Sequence, residues 1–146
     1  MSEVRVLIKK LDENAVIPRY ETDGAAGFDF HATVKEPVHI EPGGWQEIPF
    51  GIAMEIPPGY ELKIRSRSGP AFNYHVVAYH GLIDSDYRGE LSVLLHNRGE
   101  ATYIVNPGDR VAQGVISRYE TAVFEVVPEL SATKRGIRGF GSTGKR

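Results

Sequence analysis

Apolar and polar residues alternate along most of this chain, and the alternation has the period of a strand. VRVLIKKL (4–11), AGFDFHAT (26–33), PVHI (37–40), QEIPFGIAMEI (46–56) and YELKIRS (60–66) are short runs rich in β-branched or aromatic residues. HVVAYHGLI (75–83), ELSVLLHN (90–97), TYIV (102–105), DRVAQGVISRY (109–119) and AVFEVV (122–127) continue the series. Turn signals separate them: EPGG, PPGY, NRGE and NPGD. Ten short strands with tight connections predict an all-β sandwich or a jelly-roll-like barrel. One brief helix is expected near PAFNYH (70–75), where Pro70 suits a first turn. From about Ser131 the composition changes to Gly, Ser, Thr, Lys and Arg, which predicts a body over 1–130 and a flexible arm over 131–146.

Length and composition leave that picture intact. A chain of 146 residues is sized for one domain with its own core. The absence of cysteine excludes disulfides and thiolate metal sites. MSEVRVLIKKLDEN sets charges inside a short apolar run, so neither a signal peptide nor a membrane span is expected, and a cytoplasmic location follows.

Charge adds an asymmetry. The formal net charge is −2, yet Lys134, Arg135, Arg138, Lys145 and Arg146 follow the last acid, Glu129, so the rest carries seven net negative charges. Such a body is unsuited to duplex nucleic acid, which calls for a basic folded face. A basic mobile arm suits a small polyanion instead.

Several motifs fail on inspection. Gly139, Gly144 and Lys145 fill most of G-x-x-x-x-G-K-[ST], but Arg146 replaces the hydroxyl and no helical pattern follows, so a P-loop is not expected. Ser68 lacks the G-x-S-x-G elbow of a serine hydrolase. DSDYRGE (84–90) begins like a calcium loop, but Arg88 and Leu95 stand at ligand positions. The histidines at 31, 39, 75, 80 and 96 have no zinc spacing. Asp84, at the end of an apolar strand and before a tight turn, is expected to be partly buried.

Five segments taken in order carry more. AGFDF (26–30), SRSGPA (66–71), GLIDSDYRGE (81–90), PGDRVAQ (107–113) and RGIRGFGSTG (135–144) resemble the five motifs of the homotrimeric dUTP pyrophosphatases, from Ala26 to Gly144. The resemblance implies a distorted jelly-roll subunit, a homotrimer with shared active sites, and hydrolysis of dUTP to dUMP and diphosphate. It also implies magnesium on the triphosphate. No nucleic-acid or membrane partner is implied.

The resemblance assigns roles residue by residue. Asp84 matches the carboxylate that activates water for attack on the α-phosphorus. Asp29 matches the residue that holds magnesium through water. Arg67, Ser68, Gly69 and Gln113 match phosphate contacts, and Arg135, Ser142 and Thr143 match those of the arm, where Gly141 lets the backbone approach. Phe140 matches the ring that stacks on uracil, and Tyr87 the ring against the deoxyribose. Gly81, Leu82, Ile83 and Ser92 complete the substrate-binding set.

Four positions depart from the pattern. Ser66 replaces a common proline, Pro70 a leucine and Arg138 a glycine, changes expected to alter local stiffness more than chemistry. Ala78 stands where many relatives have an asparagine that reads uracil, so base reading falls to the backbone of the hairpin around Ala78 to Ile83. A dCTP deaminase of the same fold, or a bifunctional deaminase and pyrophosphatase, would need an acid/base glutamate where this chain has Leu94. A noncatalytic nucleotide-sensing module would have lost the base, the metal aspartate or the arm, and all three are present.

Overall fold

The alternating runs become eleven strands: β1 (Leu7–Lys10), β2 (Phe28–His31), β3 (Val38–Ile40), β4 (Trp45–Pro49), β5 (Ile52–Glu55), β6 (Tyr60–Arg65), β7 (Val76–Ala78), β8 (Gly81–Ile83), β9 (Ser92–Asn97), β10 (Tyr103–Val105) and β11 (Arg110–Arg118). One helix, α1 (Ser68–Tyr74), interrupts them and ends at His75 in the left-handed conformation. A computed structural model describes residues 2–145; Met1 and Arg146, the last cation of the tail, lie outside the described residues.

All pairings between these strands are antiparallel. They form a four-stranded sheet in the order β2-β11-β6-β8, a three-stranded sheet β4-β9-β7, and the pairs β1-β5 and β10-β3. Consecutive strands switch between sheets, which is how a jelly roll closes on itself. No described helix is long and apolar enough to cross a membrane.

The strand period explains how the core and the chemistry share one segment. In AGFDF, Phe28 and Phe30 point inward and Asp29 points to the other face. Phe30 is fully buried and stacks on Phe50, with ring centroids 4.3 Å apart, while Phe28 meets its edge at 5.3 Å. Asn97, also inward on β9, is the buried polar residue of this core among the described residues. Its amide donates to Ile40 O and Ala101 O, each at 2.8 Å, and its oxygen accepts from the Gly99 N–H at 2.9 Å. The burial cost is thus met by three bonds.

Three expectations are corrected. QEIPFGIAMEI is two strands in different sheets, because Pro49 has no amide to pair and Gly51, at φ +65°, turns the chain. HVVAYHGLI likewise divides at Tyr79–His80, where the chain leaves β9 to run along β6. AVFEVV forms no strand. Its residues lie outside every sheet with Val123 and Phe124 more than nine-tenths exposed, since no strand of this chain is placed to pair with them.

Candidate active site

One cluster gathers where β2, β11 and the end of β6 lie side by side. Arg67 is the N-cap of α1, held in extended conformation. Its Nε donates to Asp29 Oδ1 at 3.1 Å, and its Nη1 donates to Arg110 O at 3.1 Å. Arg110 Nη1 reaches Asp29 Oδ2 at 3.5 Å and lies 3.9 Å from Glu21 Oε1, which Arg19 Nε also meets at 3.3 Å. The Asp29 side chain is only 13% exposed, so these ion pairs lie in partly desolvated surroundings. Three guanidinium groups against two carboxylates leave a net positive charge. Gln113, on β11, donates through Nε2 to Ser66 O at 2.8 Å. The expected phosphate-side residues Arg67, Ser68, Gly69 and Gln113 therefore come together around Asp29, with Ser68 and Gly69 exposed.

A second group lies at the free edge of the same sheet. Leu82, Ile83, Asp84, Tyr87 and Ser92 line a cavity of about 230 Å³ together with Glu90 and Leu91. Gly81 begins β8, which pairs with β6 on one side only. Asp84 follows β8, and its carbonyl accepts the Tyr87 N–H at 3.2 Å, closing a turn. The Tyr87 ring folds back so that its hydroxyl donates to Glu90 O at 3.0 Å. Gly89 makes this possible: a Cβ there would overlap the Tyr87 ring. Ser92 Oγ donates to Glu47 Oε1 at 2.7 Å, so its hydroxyl is already engaged. Asp84 itself is exposed, where partial burial was expected, because none of the described residues packs over the turn.

The arm joins neither group. Every described residue from Arg118 onward is exposed, including Arg135, Phe140, Gly141, Ser142 and Thr143. What order it has is local. Arg135 and Arg138 donate to each other's carbonyls at 3.0 and 3.1 Å, and Gly141 lies at φ +78°.

Metal binding is constrained by the donor set. No group of three or more His, Cys, Asp or Glu side chains capable of holding a metal occurs among the described residues. Asp29, its carboxylate facing two arginines, cannot cage an ion alone. It fits an outer-sphere contact to a magnesium carried mainly by phosphate oxygens and water. Beside it, His31 has a buried Nδ1 with no hydrogen-bond partner. Burial pushes its pKa down, Asp29 partly offsets that, and Arg110 and Arg19 push in the same direction as burial.

Arg110, Glu21 and Arg19 were not singled out from sequence, since ion pairs between distant segments leave no local pattern. Arg110 did carry a signal: it sits inside PGDRVAQ, three residues before Gln113, the register partner of Asp29.

An all-β fold with a cationic cluster and a neighbouring cavity on one sheet is suited to a small polyanion. The family model of the dUTPases matches residues 13–144, and the chain belongs to that family. It is 50% identical over 139 residues to the deoxyuridine 5'-triphosphate nucleotidohydrolase of Chlamydia trachomatis serovar L2, covering 93% of this chain and 96% of that one. Among solved structures it is similar to the Staphylococcus bacteriophage 80alpha dUTPase with dUpNHpp, at TM-score 0.89 and 30% identity over 96% of this chain and 98% of that one. It is also similar to the dUTPase of phage phi11 of S. aureus, described with a structural Mg(II) ion, at TM-score 0.79 and 28% identity over 86% and 97% of the two chains.

Proposed function

We infer that this chain hydrolyses dUTP to dUMP and diphosphate, with Asp84 as general base. The observation that carries the reading is the place of Asp84: an exposed carboxylate at the rim of a nucleoside-sized cavity, on the sheet that also bears the arginine cluster. The cavity takes uracil and deoxyribose against β8 and the Tyr87 ring, where a 2′-hydroxyl meets the ring face and is rejected by crowding. Arg67, Ser68, Gly69 and Gln113 receive the phosphates. Asp84 accepts a proton from water as its oxygen bonds to the α-phosphorus, and the bond from that phosphorus to the bridging oxygen breaks, releasing diphosphate. Preorganised guanidinium and amide donors stabilise the charge that develops. Asp29 would face the water shell of a magnesium ion, which supplies charge neutralisation across the triphosphate.

The reading includes a homotrimer. The cationic cluster and the Asp84 cavity are two half-sites, and a body over 1–130 leaves an arm over 131–146 with nothing of its own to cover. Exposed Val123, Phe124, Val126 and Leu130 lead into that arm and supply apolar surface for a second copy. Arg135, Ser142 and Thr143 then close on phosphates, Phe140 on the base, with Gly141 as the bend. A cytoplasmic location goes with a deoxynucleoside triphosphate substrate. Deamination has no support at Leu94, an exposed apolar residue of β9.

The test is a panel of dUTP, dCTP, dTTP and UTP with magnesium, following diphosphate and the base separately. Hydrolysis confined to dUTP is expected, and in ¹⁸O-water the label enters dUMP; equal cleavage of UTP and dTTP, or label in diphosphate, rules the reading out. Asp84→Asn keeps nucleotide binding and lowers kcat by about 10²–10⁴-fold.

A further inference from the structure

Ser66 and Ala78, two positions at which this chain departs from the family pattern, meet in the structure. Ser66 follows β6, and Ala78 ends β7. The Ala78 N–H donates to Ser66 Oγ at 2.8 Å, and the same hydroxyl lies 3.5 Å from the Ala78 carbonyl. β7 is an edge strand of its sheet. Its bonds to β9 leave from one side, as with the Tyr79 N–H to Leu94 O at 2.8 Å, so the main-chain groups of Ala78 face away from that sheet. Ala78 is buried, and its amide would otherwise be an orphan. A hydroxyl both donates and accepts, so one side chain does here what a neighbouring strand would do.

The position of this contact gives it a consequence. Three residues past Ala78, at Gly81, the chain has crossed to the other sheet and begins β8. The carbonyl of Ser66 meanwhile accepts from Gln113, on the phosphate side. Ser66 thus fixes the start of the β8 hairpin relative to the phosphate loop through two bonds made by one residue.

We propose that Ser66 is a positioning residue for base discrimination, holding the β7–β8 crossing so that the backbone of Gly81–Ile83 reads uracil without a side-chain amide at position 78. This rests on the reading that β8 takes the base. Backbone reading demands a strand fixed in place, because a base with an added methyl or amino group is refused only by donors and acceptors that cannot shift. The hydroxyl supplies that fixity, and Ser66 itself acts through Ala78 without touching substrate.

Two measurements on the full chain test it: hydrogen exchange at the Ala78 amide, and kinetics on dUTP, dCTP and dTTP. In Ser66→Ala, exchange at Ala78 accelerates at least about tenfold, KM for dUTP rises about five- to tenfold with kcat within about twofold, and the preference for dUTP over dTTP and dCTP falls by a similar factor. Ser66→Thr, which keeps the hydroxyl, restores all three. Should Ser66→Ala fail to fold, Ser66→Cys, a weaker donor, shows the same changes at smaller size. Unchanged exchange, unchanged selectivity in a folded Ser66→Ala, or equal impairment in the threonine variant overturns the proposal. A wild-type chain with no preference for dUTP overturns the reading of the site instead, and the exchange measurement still reports whether the hydroxyl holds Ala78.

Discussion

Residues 110–118 and 122–127 carry similar patterns of branched and aromatic residues and meet opposite fates. β11 lies between β2 and β6, bonded on both sides, and Val111 and Ala112 are buried. AVFEVV stands free, with Val123 at 95% and Phe124 at 93% exposed. The difference is one of partners: β-propensity describes fitness for a pleated, half-buried surface, and such a surface has to be supplied by something else. In the body the chain supplies it. In the tail it does not, and the apolar run is left exposed.

If body and arm are separable in this way, cutting between them separates stability from activity. Truncation after Glu129 removes Phe140 and Arg135, the proposed stacking ring and phosphate contact of the arm. At about 2 kcal/mol each, these predict a loss of about 10³-fold in kcat/KM. The urea unfolding midpoint stays where it was at equal protein concentration. A fall in midpoint would show that the arm contributes to stability, through its own body or a neighbouring copy, and that stability and activity are not separable.

Asn97→Ala is the converse experiment, made in the body and far from the chemistry. It leaves Ile40 O, Ala101 O and the Gly99 N–H without their partner. The expected cost is about 3 kcal/mol, a drop of ~1.5 M in urea midpoint, with kcat/KM retained at temperatures where the variant is folded. Phe140→Ala returns to the arm at smaller scale. Loss of one stack, about 2 kcal/mol, lowers kcat/KM by ~30-fold with no shift in midpoint. An equal loss for a substrate without its base would show that Phe140 does not stack on uracil.

The same contrast marks what could be read from residues alone. Period-two alternation located nine of the ten expected runs as strands. Motif order singled out Asp29, Gln113, Arg67 and Asp84, which the fold sets on or just beyond the strands of one sheet. Three things were out of reach for a common physical reason: the split of 46–56 at Gly51, the ion pairs of Arg110 with Asp29 and Glu21, and the bond from Ala78 to Ser66 depend on segments distant in sequence. Ser66 is the instructive miss. Read as a change in stiffness, it proves to be a hydrogen-bonding side chain whose partner is the other atypical residue.

The smallest effect expected concerns protons, and it too divides body from arm, because no histidine lies beyond His96. His31 has a pKa held below its usual value, first by burial, which Asp29 and Glu21 oppose and Arg110 and Arg19 reinforce. The unfolded chain therefore binds a proton at this site more readily than the folded one. Stability is full above the ordinary histidine pKa of about 6.5 and declines as pH falls through that value toward the lower folded pKa. The structural reason is visible at Nδ1, which is buried without a partner and would become a donor with no acceptor on protonation. His31→Asn removes this titration, so the decline in urea midpoint between pH 8 and pH 5.5 becomes shallower than in the wild type. The chain truncated after Glu129 keeps the wild-type slope. A steeper decline in His31→Asn would mean that the folded state holds the proton more tightly than the unfolded one, with Asp29 outweighing burial.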